Sequence, residues 1–217
     1  GTFSDGKLTT GINDFRIDKV LREFHTHGAP EEILYYSKPH IGTDKLCKMV
    51  ASIREEITQL GGEVRFLSTL TDIRISDGKV CAAVVNNEYE IKTDNIVIAI
   101  GHSARDTFKM LLERGLDMEQ KSFSVGVRIE HSQEMINKSQ YGEFYNLLPA
   151  ADYKMAVHLE NGRGVYTFCM CPGGEVVASA SESGGVVTNG MSRFARDGKN
   201  ANSALLVSIT PEDFQSS

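Results

Sequence analysis

One junction constrains this chain more than any other feature: a short apolar run ends at a glycine, and a helix is predicted to follow. The run Ile96–Ile100 lies within NIVIAIGHSARD, residues 95–106, and Gly101 ends it. A short, β-branched run of this kind predicts a buried parallel strand. The glycine lets a ligand approach the backbone, and a helix starting near Ala104 offers free N–H groups to an anion. The junction therefore predicts a nucleotide-binding strand end, although many α/β proteins carry one with nothing bound.

Composition and charge narrow the class of protein. The 217 residues suffice for one large domain or two small ones, and the 41% hydrophobic and 24% charged content is ordinary for a globular protein. A net charge of −6 without a basic cluster argues against nucleic acid as a partner. No apolar run reaches the roughly 18 residues that a membrane span needs, and the first residues lack a secretory signal.

The cysteines and the two chain ends add expectations about the setting. Cys47, Cys81, Cys169 and Cys171 are too few and too unevenly spread for a disulfide framework, so we expect a reducing, cytoplasmic location. The sequence has no initiator Met and stops at Ser217 without a clear final element. We therefore expect an internal piece of a longer protein.

Helical and β signals alternate before the junction. Helical spacing predicts helices near residues 17–27, from Pro30 onward, and over Thr43–Leu60, the last one capped by Thr43. Val64–Leu67 predicts a short strand. A three-stranded β-meander follows, with Asp77-Gly78 as its first hairpin turn, over residues 70–75, 80–85 and 89–91.

After Gly115 the pattern becomes that of hairpins. Residues 123–129 alternate apolar and polar with the period of a strand, and a polar helical stretch follows at 133–137. Further strands are predicted over 153–159, 165–170 and 176–181. The sequence thus predicts an α/β (α+β) protein with two domains, one of helices and the meander over 1–118 and a β-rich antiparallel one over 119–217.

Several strings together carry a family resemblance. They are GTFSDGKL (1–8), AIGHSARDTF (99–108), FSVGVRIEH (123–131), CMCPGG (169–174), NGMSRFAR (189–196) and NANSALLV (200–207). The chain resembles the uncharacterised FAD-dependent dehydrogenases, which are NAD/FAD-utilising flavoproteins of the two-dinucleotide-fold type. The order of helix, strand, meander and glycine-ended strand is similar to the later portion of their FAD-binding domain.

The resemblance implies a flavoenzyme. Its parent would be an oxidoreductase that moves electrons or hydride through FAD to or from an unknown small substrate, with a nicotinamide cofactor as a candidate electron donor. No G-x-G-x-x-G occurs in the 217 residues, and family members would carry that pyrophosphate loop upstream of Gly1. We therefore expect the isolated chain to bind FAD weakly or not at all and to be inactive.

Two loops are candidates for cofactor contact. Gly101, His102 and Ser103 would face the diphosphate or ribityl chain, and the alternative is that Ser103 only caps the next helix, worth about 1 kcal/mol. The second loop is Ser4, Asp5, Gly6 and Lys7, where Lys7 would meet phosphate as a point charge. Its alternative is a frayed chain start.

The strand at 123–131 ends in a polar group of residues. Arg128 and His131 are the candidates for substrate binding and proton transfer, and Glu130 shares a face with Arg128. The alternative, which we prefer on the sequence, is a solvated strand face with an exposed ion pair worth well under about 1 kcal/mol.

Cys169 and Cys171 are separated by one residue on a predicted strand. Their sulfurs would share a face about 6–7 Å apart, which is a poor distance for a disulfide. No second ligand pair with suitable spacing stands nearby, so no metal site is expected. Small, buried, free cysteines are the default interpretation, and a redox role for the pair is the alternative.

A non-enzymatic role is the competing hypothesis. Residues 119–217 would form a β-rich recognition module for a protein or peptide, and any flavin would then be structural.

Overall fold

The computed structural model describes residues 4–10 and 12–214 and shows a mixed α+β fold, which confirms the predicted fold class. Residues 1–3 of the predicted first loop lie outside the described residues. The helices and strands, numbered in chain order, are α1 Arg16–Thr26, α2 Thr43–Gln59, α3 Arg105–Glu113, α4 Gln133–Tyr141, β1 Leu70–Ser76, β2 Lys79–Val85, β3 Tyr89–Lys92, β4 Phe123–Ser132, β5 Ala156–His158, β6 Gly164–Cys171, β7 Gly174–Ala178, β8 Thr188–Ser192 and β9 Asn200–Ile209. Among the described helices, none combines the length and apolar character that crossing a bilayer requires.

The chain divides into two compact units. The larger unit joins the residues up to Gly62 with those from Ser122 onward, and the smaller unit is Glu63–Lys121. The sequence had assigned a cofactor domain to 1–118 and a substrate or interaction domain to 119–217, and that assignment of roles stays a prediction.

The larger unit is built on a four-stranded antiparallel sheet with strand order β4-β9-β6-β5. β9 is a central strand, because it pairs with β4 from Phe123↔Ile209 to Ser132↔Asn200 and with β6 on its other edge. Gly126 of β4 allows this close pairing, since a Cβ there would lie 1.9 Å from the Leu205 carbonyl oxygen. A separate two-stranded hairpin, β7-β8, follows β6.

Two helices of the larger unit, α1 and α2, pack on a small apolar core. Ala29, Ile33, Ile41 and Met49 are its buried members, and apolar side chains of α1 and α2 pack on them. Both helices were expected from the apolar spacing, and the structure confirms them.

The smaller unit contains the predicted meander. β1, β2 and β3 form an antiparallel sheet in chain order, and the turn at Asp77-Gly78 joins the first two strands. The Asp72 carboxylate accepts from the Arg114 side chain, whose Nε lies 2.6 Å from Asp72 Oδ1. This guanidinium lowers the pKa of Asp72.

The expected strand at Ile96–Ile100 is wrong. Residues 95–101 have irregular backbone, and Val97 is 93% exposed. A strand needs a neighbour to accept and donate its backbone hydrogen bonds. Within the described ranges no strand pairs with this run, so its apolar pattern alone does not make it a strand.

Four smaller expectations are also corrected. Val64–Leu67 is irregular instead of a strand, and the turn after Pro30 is a short 3-10 helix at Glu31–Leu34. Thr43 begins α2 but does not cap it, because its hydroxyl donates to the carbonyl oxygens of Ser4 and Ser192. Ser103 does not cap α3 either, since the N-cap position is Ala104 and receives no side-chain bond.

A histidine contact joins α1 to α2. His27 Nδ1 lies 2.7 Å from the Glu23 carbonyl oxygen, and Nε2 lies 2.6 Å from Glu56 Oε2. The ligand-type atoms of Glu23, His27 and Glu56 lie within 4.8 Å of one another. Because both ring nitrogens already face acceptors within the chain, the group is explained as a helix–helix contact. The Glu23 carbonyl and then the Glu56 carboxylate raise the pKa of His27.

Replacing this histidine should change how stability depends on pH. A raised folded-state pKa means that the contact stabilises fully below the ordinary histidine pKa, and that this contribution is lost as pH rises through the folded value. His27→Gln should therefore lower the urea midpoint of the larger unit more at pH 5.5 than at pH 8.5. An equal loss at both pH values would contradict the assignment.

Candidate functional site

A β-bulge in β6 brings the two neighbouring cysteines together. Between Phe168 and Cys171 the register of β6 against β9 shifts, and Cys169 has a φ of +49°, which is unusual for a residue other than glycine. The Cys169 and Cys171 sulfurs lie 3.9 Å apart. The expected separation of about 6–7 Å is thus wrong, because it assumed a straight strand.

The two thiols differ in exposure and in acidity. Cys171 is completely buried, whereas Cys169 is partly exposed. A hydrogen bond from the Cys171 thiol, aided by the charges of Lys7 and Arg128, lowers the pKa of Cys169 to about 5. The Cys169 sulfur and burial both raise the pKa of Cys171. The pair therefore combines a partly exposed sulfur whose pKa is lowered with a buried sulfur whose pKa is raised.

The loop Ser4–Lys7 packs directly against these cysteines. The Lys7 amine donates to the Met170 carbonyl oxygen and lies 3.7 Å from Cys171 Sγ. The loop backbone is held as well, because the carbonyl oxygens of Asp5 and Gly6 accept from the N–H groups of Gly42 and Ile41, each at 3.0 Å. These hydrogen bonds tie the loop into the larger unit.

Asp5 places a negative charge inside this cluster. The residue is only 2% exposed, and its Oδ1 accepts a hydrogen bond from the Ser192 hydroxyl. Its Oδ2 lies 3.2 Å from Lys7 Nζ and 3.8 Å from Arg196 Nη2, yet it accepts no well-directed hydrogen bond from the described residues. Buried carboxylates in proteins are usually paired with cations in this way.

Arg128 belongs to the same cluster and takes different partners from Glu130. Its Nη1 donates to the Cys169 carbonyl oxygen at 3.1 Å and to Asn202 Oδ1 at 2.6 Å. Glu130 instead accepts from the Asn200 amide at 2.7 Å and from the Val176 N–H at 3.3 Å. The structure thus directs Arg128 toward the thiols and not into the exposed ion pair that the sequence favoured.

His131, the other predicted substrate-side residue, has its own partner. Its Nε2 lies 2.7 Å from the Tyr153 hydroxyl, and the two rings are tilted with centroids 5.5 Å apart. Its Nδ1 is buried and has no hydrogen-bond partner among the described residues. Arg128 and His131 therefore take part in separate contacts, and their catalytic roles stay predictions.

The predicted loop Gly101–Ser103 lies in the smaller unit. All three residues are exposed, and Gly101 has a φ of +72° with open space where a Cβ would be. Ser103 Oγ lies 3.4 Å from His102 Nε2. This loop has room for a ligand, and its cofactor role stays a prediction.

Sequence reasoning missed four members of the cluster: Gly190, Ser192, Arg196 and Asn202. Asn202 is completely buried in β9, and a Cβ on Gly190 would lie 2.2 Å from Asn202 Oδ1 and 2.5 Å from Arg128 Nη1. The polar start of NANSALLV, ahead of an apolar run, was the one local signal for Asn202. The other three lie in NGMSRFAR, a string of the family resemblance, but the sequence does not show that they join this cluster, because distant segments supply their partners.

The segment that contains both thiols, Arg128 and Asn202 is similar to a known protein family. Residues 122–217 match a family model. Its description is "FAD-dependent protein, C-terminal domain-like". This part of the chain is thus similar to the C-terminal domain of FAD-dependent proteins, and the match does not include the loop Ser4–Lys7.

A curated relative covers the whole chain. It is an uncharacterised protein of Clostridium beijerinckii (strain ATCC 51743 / NCIMB 8052), 56% identical over 220 residues. The alignment includes all of this chain and 41% of that relative. The chain therefore spans about two fifths of the length of the curated relative that it matches.

The acidity of Cys169 can be measured by alkylation. Only the thiolate reacts with iodoacetamide. The alkylation rate of a thiol of ordinary pKa, such as glutathione, should therefore fall by roughly 80-fold between pH 8 and pH 6. Because the pKa of Cys169 is lowered, its alkylation rate should fall far less than that of glutathione over the same pH interval. The measurement is mass spectrometry of the tryptic peptide Gly164–Arg193, with fragmentation to locate the label.

Cys171→Ala provides the matched comparison. It removes the thiol that donates to Cys169, so the reaction of Cys169 at pH 6 should become slower than in the natural protein. A Cys169 rate that falls with pH as steeply as that of glutathione would contradict the assignment.

Proposed function

We propose that this chain is part of an FAD-dependent dehydrogenase, and that Ser4–Lys7 contacts the cofactor in the complete protein. One observation supports this most directly. The loop that the family resemblance assigns to FAD is hydrogen-bonded to the segment that matches the FAD-dependent family model, through Lys7 to Met170 and Asp5 to Ser192.

The charges in the cluster are compatible with an anionic group of the cofactor. Lys7, Arg128 and Arg196 contribute three cations, and Asp5 is the carboxylate that two of them approach. The Nε atoms of Arg128 and Arg196 are buried and have no hydrogen-bond partner among the described residues. This excess of donors suits the diphosphate of FAD, because charge-assisted hydrogen bonds to phosphate oxygens are among the stronger polar contacts.

The residues of this chain would bind and orient, while FAD itself supplies hydride chemistry. Lys7 offers a point charge that is partly accessible, and the backbone hydrogen bonds at Ile41 and Gly42 fix its position. His131 offers a proton-holding site at Nε2 next to the Tyr153 hydroxyl, which suits an acid–base role toward a small substrate. A nicotinamide cofactor is the electron donor that we propose.

Reconstitution of the complete protein tests this proposal. The purified protein should show flavin absorbance that a reduced nicotinamide nucleotide bleaches without oxygen. Lys7→Met should weaken FAD binding by about tenfold or more, because a hydrogen bond to a charged group contributes roughly 1.5–3 kcal/mol. Lys154→Met is the matched control, since Lys154 is exposed on the same unit. Equal FAD affinity of the two variants would contradict the role of Lys7.

The isolated chain of 217 residues gives a second readout. Its sequence lacks the G-x-G-x-x-G loop that holds the pyrophosphate, so it should bind FAD much more weakly than the complete protein. A stoichiometrically yellow preparation of the isolated chain would overturn this expectation.

An exposed apolar face favours a second candidate function, a binding module for a protein or peptide. Phe123, Val125, Val127 and Ile129 alternate along β4 on one face of the sheet, and their exposed fractions lie between 44% and 65%. Contiguous apolar surface of this kind is typical of interaction sites. In this alternative the flavin would be structural.

The two functions predict opposite outcomes for a charge on this face. If the chain is a binding module, Val127→Lys should abolish co-purification of a polypeptide partner, while the flavin stays inert toward nicotinamide nucleotides. Val187→Lys is the matched control, because Val187 is equally apolar and exposed but lies outside β4. A reducible flavin with no co-purifying partner would contradict the binding module.

A further inference from the structure

We propose that Cys169 and Cys171 form a redox-active dithiol, which a small dialkyl disulfide oxidises to an intramolecular Cys169–Cys171 disulfide. The proposal rests on the thiol cluster and needs no flavin. It adds a second redox activity, thiol–disulfide exchange, to the dehydrogenase proposed above.

The bulge makes the intramolecular bond reachable. The sulfurs are 3.9 Å apart, and a disulfide bond is about 2.05 Å long, so they need to approach by only about 2 Å. A straight strand would hold the two sulfurs about 6–7 Å apart. The positive φ of Cys169 is therefore the local feature that turns two core-type cysteines into a reactive pair.

The unequal exposure of the two sulfurs determines which cysteine attacks first. Cys169 is partly exposed and can meet a soluble disulfide, whereas Cys171 is completely buried and can meet only the sulfur of Cys169. Redox-active cysteine pairs commonly combine an accessible thiolate with a neighbouring thiol that completes the reaction. Cys47 and Cys81, by contrast, are exposed cysteines in other parts of the chain.

The reaction balances in two exchanges. The Cys169 thiolate attacks one sulfur of R–S–S–R, its S–S bond breaks, and RS⁻ leaves, so that Cys169–S–S–R remains. The Cys171 sulfur then attacks Cys169 Sγ, loses its proton and releases the second RS⁻, which takes up that proton. One protein dithiol is oxidised, and one small disulfide is reduced to two thiols.

Lys7 is a positioning residue for the second exchange. Before oxidation, the negative charge on Cys169 opposes ionisation of Cys171. Once Cys169 is in the mixed disulfide, that charge is gone. The Lys7 ammonium, 3.7 Å from Cys171 Sγ, then favours the Cys171 thiolate.

Two other roles for the cysteines explain less of the geometry. Simple core filling does not account for a partly exposed Cys169 or for the cations beside the pair. A metal site would need further ligands, and across residues 4–10 and 12–214 no third His, Cys, Asp or Glu atom groups with both sulfurs at ligand distances.

The test uses the complete protein, reduced and freed of reductant, with hydroxyethyl disulfide as the probe. Trypsin should release Gly164–Arg193, which contains both cysteines of the pair and neither Cys47 nor Cys81. The expected product is this peptide lighter by two hydrogens, with two equivalents of mercaptoethanol released for each pair. The peptides with Cys47 and Cys81 serve as internal controls and should gain at most the mercaptoethanol adduct.

Variants separate the two exchanges. Cys171→Ser should stop the reaction at the mercaptoethanol adduct on Cys169. Lys7→Met should still form this adduct but should resolve it several-fold more slowly, because no ammonium then favours the Cys171 thiolate.

Two results would overturn the proposal. One is a natural protein whose Gly164–Arg193 peptide carries stable adducts on both cysteines, or has no adduct and is not lighter by two hydrogens. The other is a Cys171→Ser protein that shows no adduct on Cys169 while circular dichroism shows that it is folded.

Discussion

The central position of β9 is the constraint on which the larger unit depends. β9 must satisfy the hydrogen bonds of β4 on one edge and of β6 on the other. Between the pairs Phe168↔Ala204 and Cys171↔Asn202, β6 advances by three residues while β9 advances by two. The extra residue is absorbed as a bulge, and this turns Cys169 toward Cys171. The reactive geometry of the thiols is therefore a consequence of how the sheet is paired.

Buried charge links this sheet to the start of the chain. Asp5 lies inside the unit with Lys7 and Arg196 close to its carboxylate, and Lys7 also contacts β6. Removing one member of such a group leaves another charge buried without compensation, which is far more costly than loss of an exposed ion pair. The same arrangement gives Lys7 two neighbours of functional interest, the proposed FAD phosphate and the Cys171 sulfur.

Both proposed activities are redox reactions, but different observations support them. The flavin role depends on the family match of residues 122–217 and on the loop that packs against them. The dithiol role depends on distances within the chain and on the unequal exposure of two sulfurs.

The sequence by itself determined what short-range physics controls. Apolar spacing predicted α1 and α2, alternation predicted β4, and Asp77-Gly78 predicted the first hairpin of the meander, because each depends on residues close together in the chain. Only the tertiary structure decided what depends on distant partners. Ile96–Ile100 has the composition of a strand but no paired neighbour within the described residues. Arg128 donates hydrogen bonds to Asn202 and Cys169 instead of forming the ion pair with Glu130 that the sequence favoured. The sequence equally could not predict three other features, because strand register and long-range packing set them. They are the separation of the two sulfurs, the partners of Asp5 and the contact of Lys7 with β6.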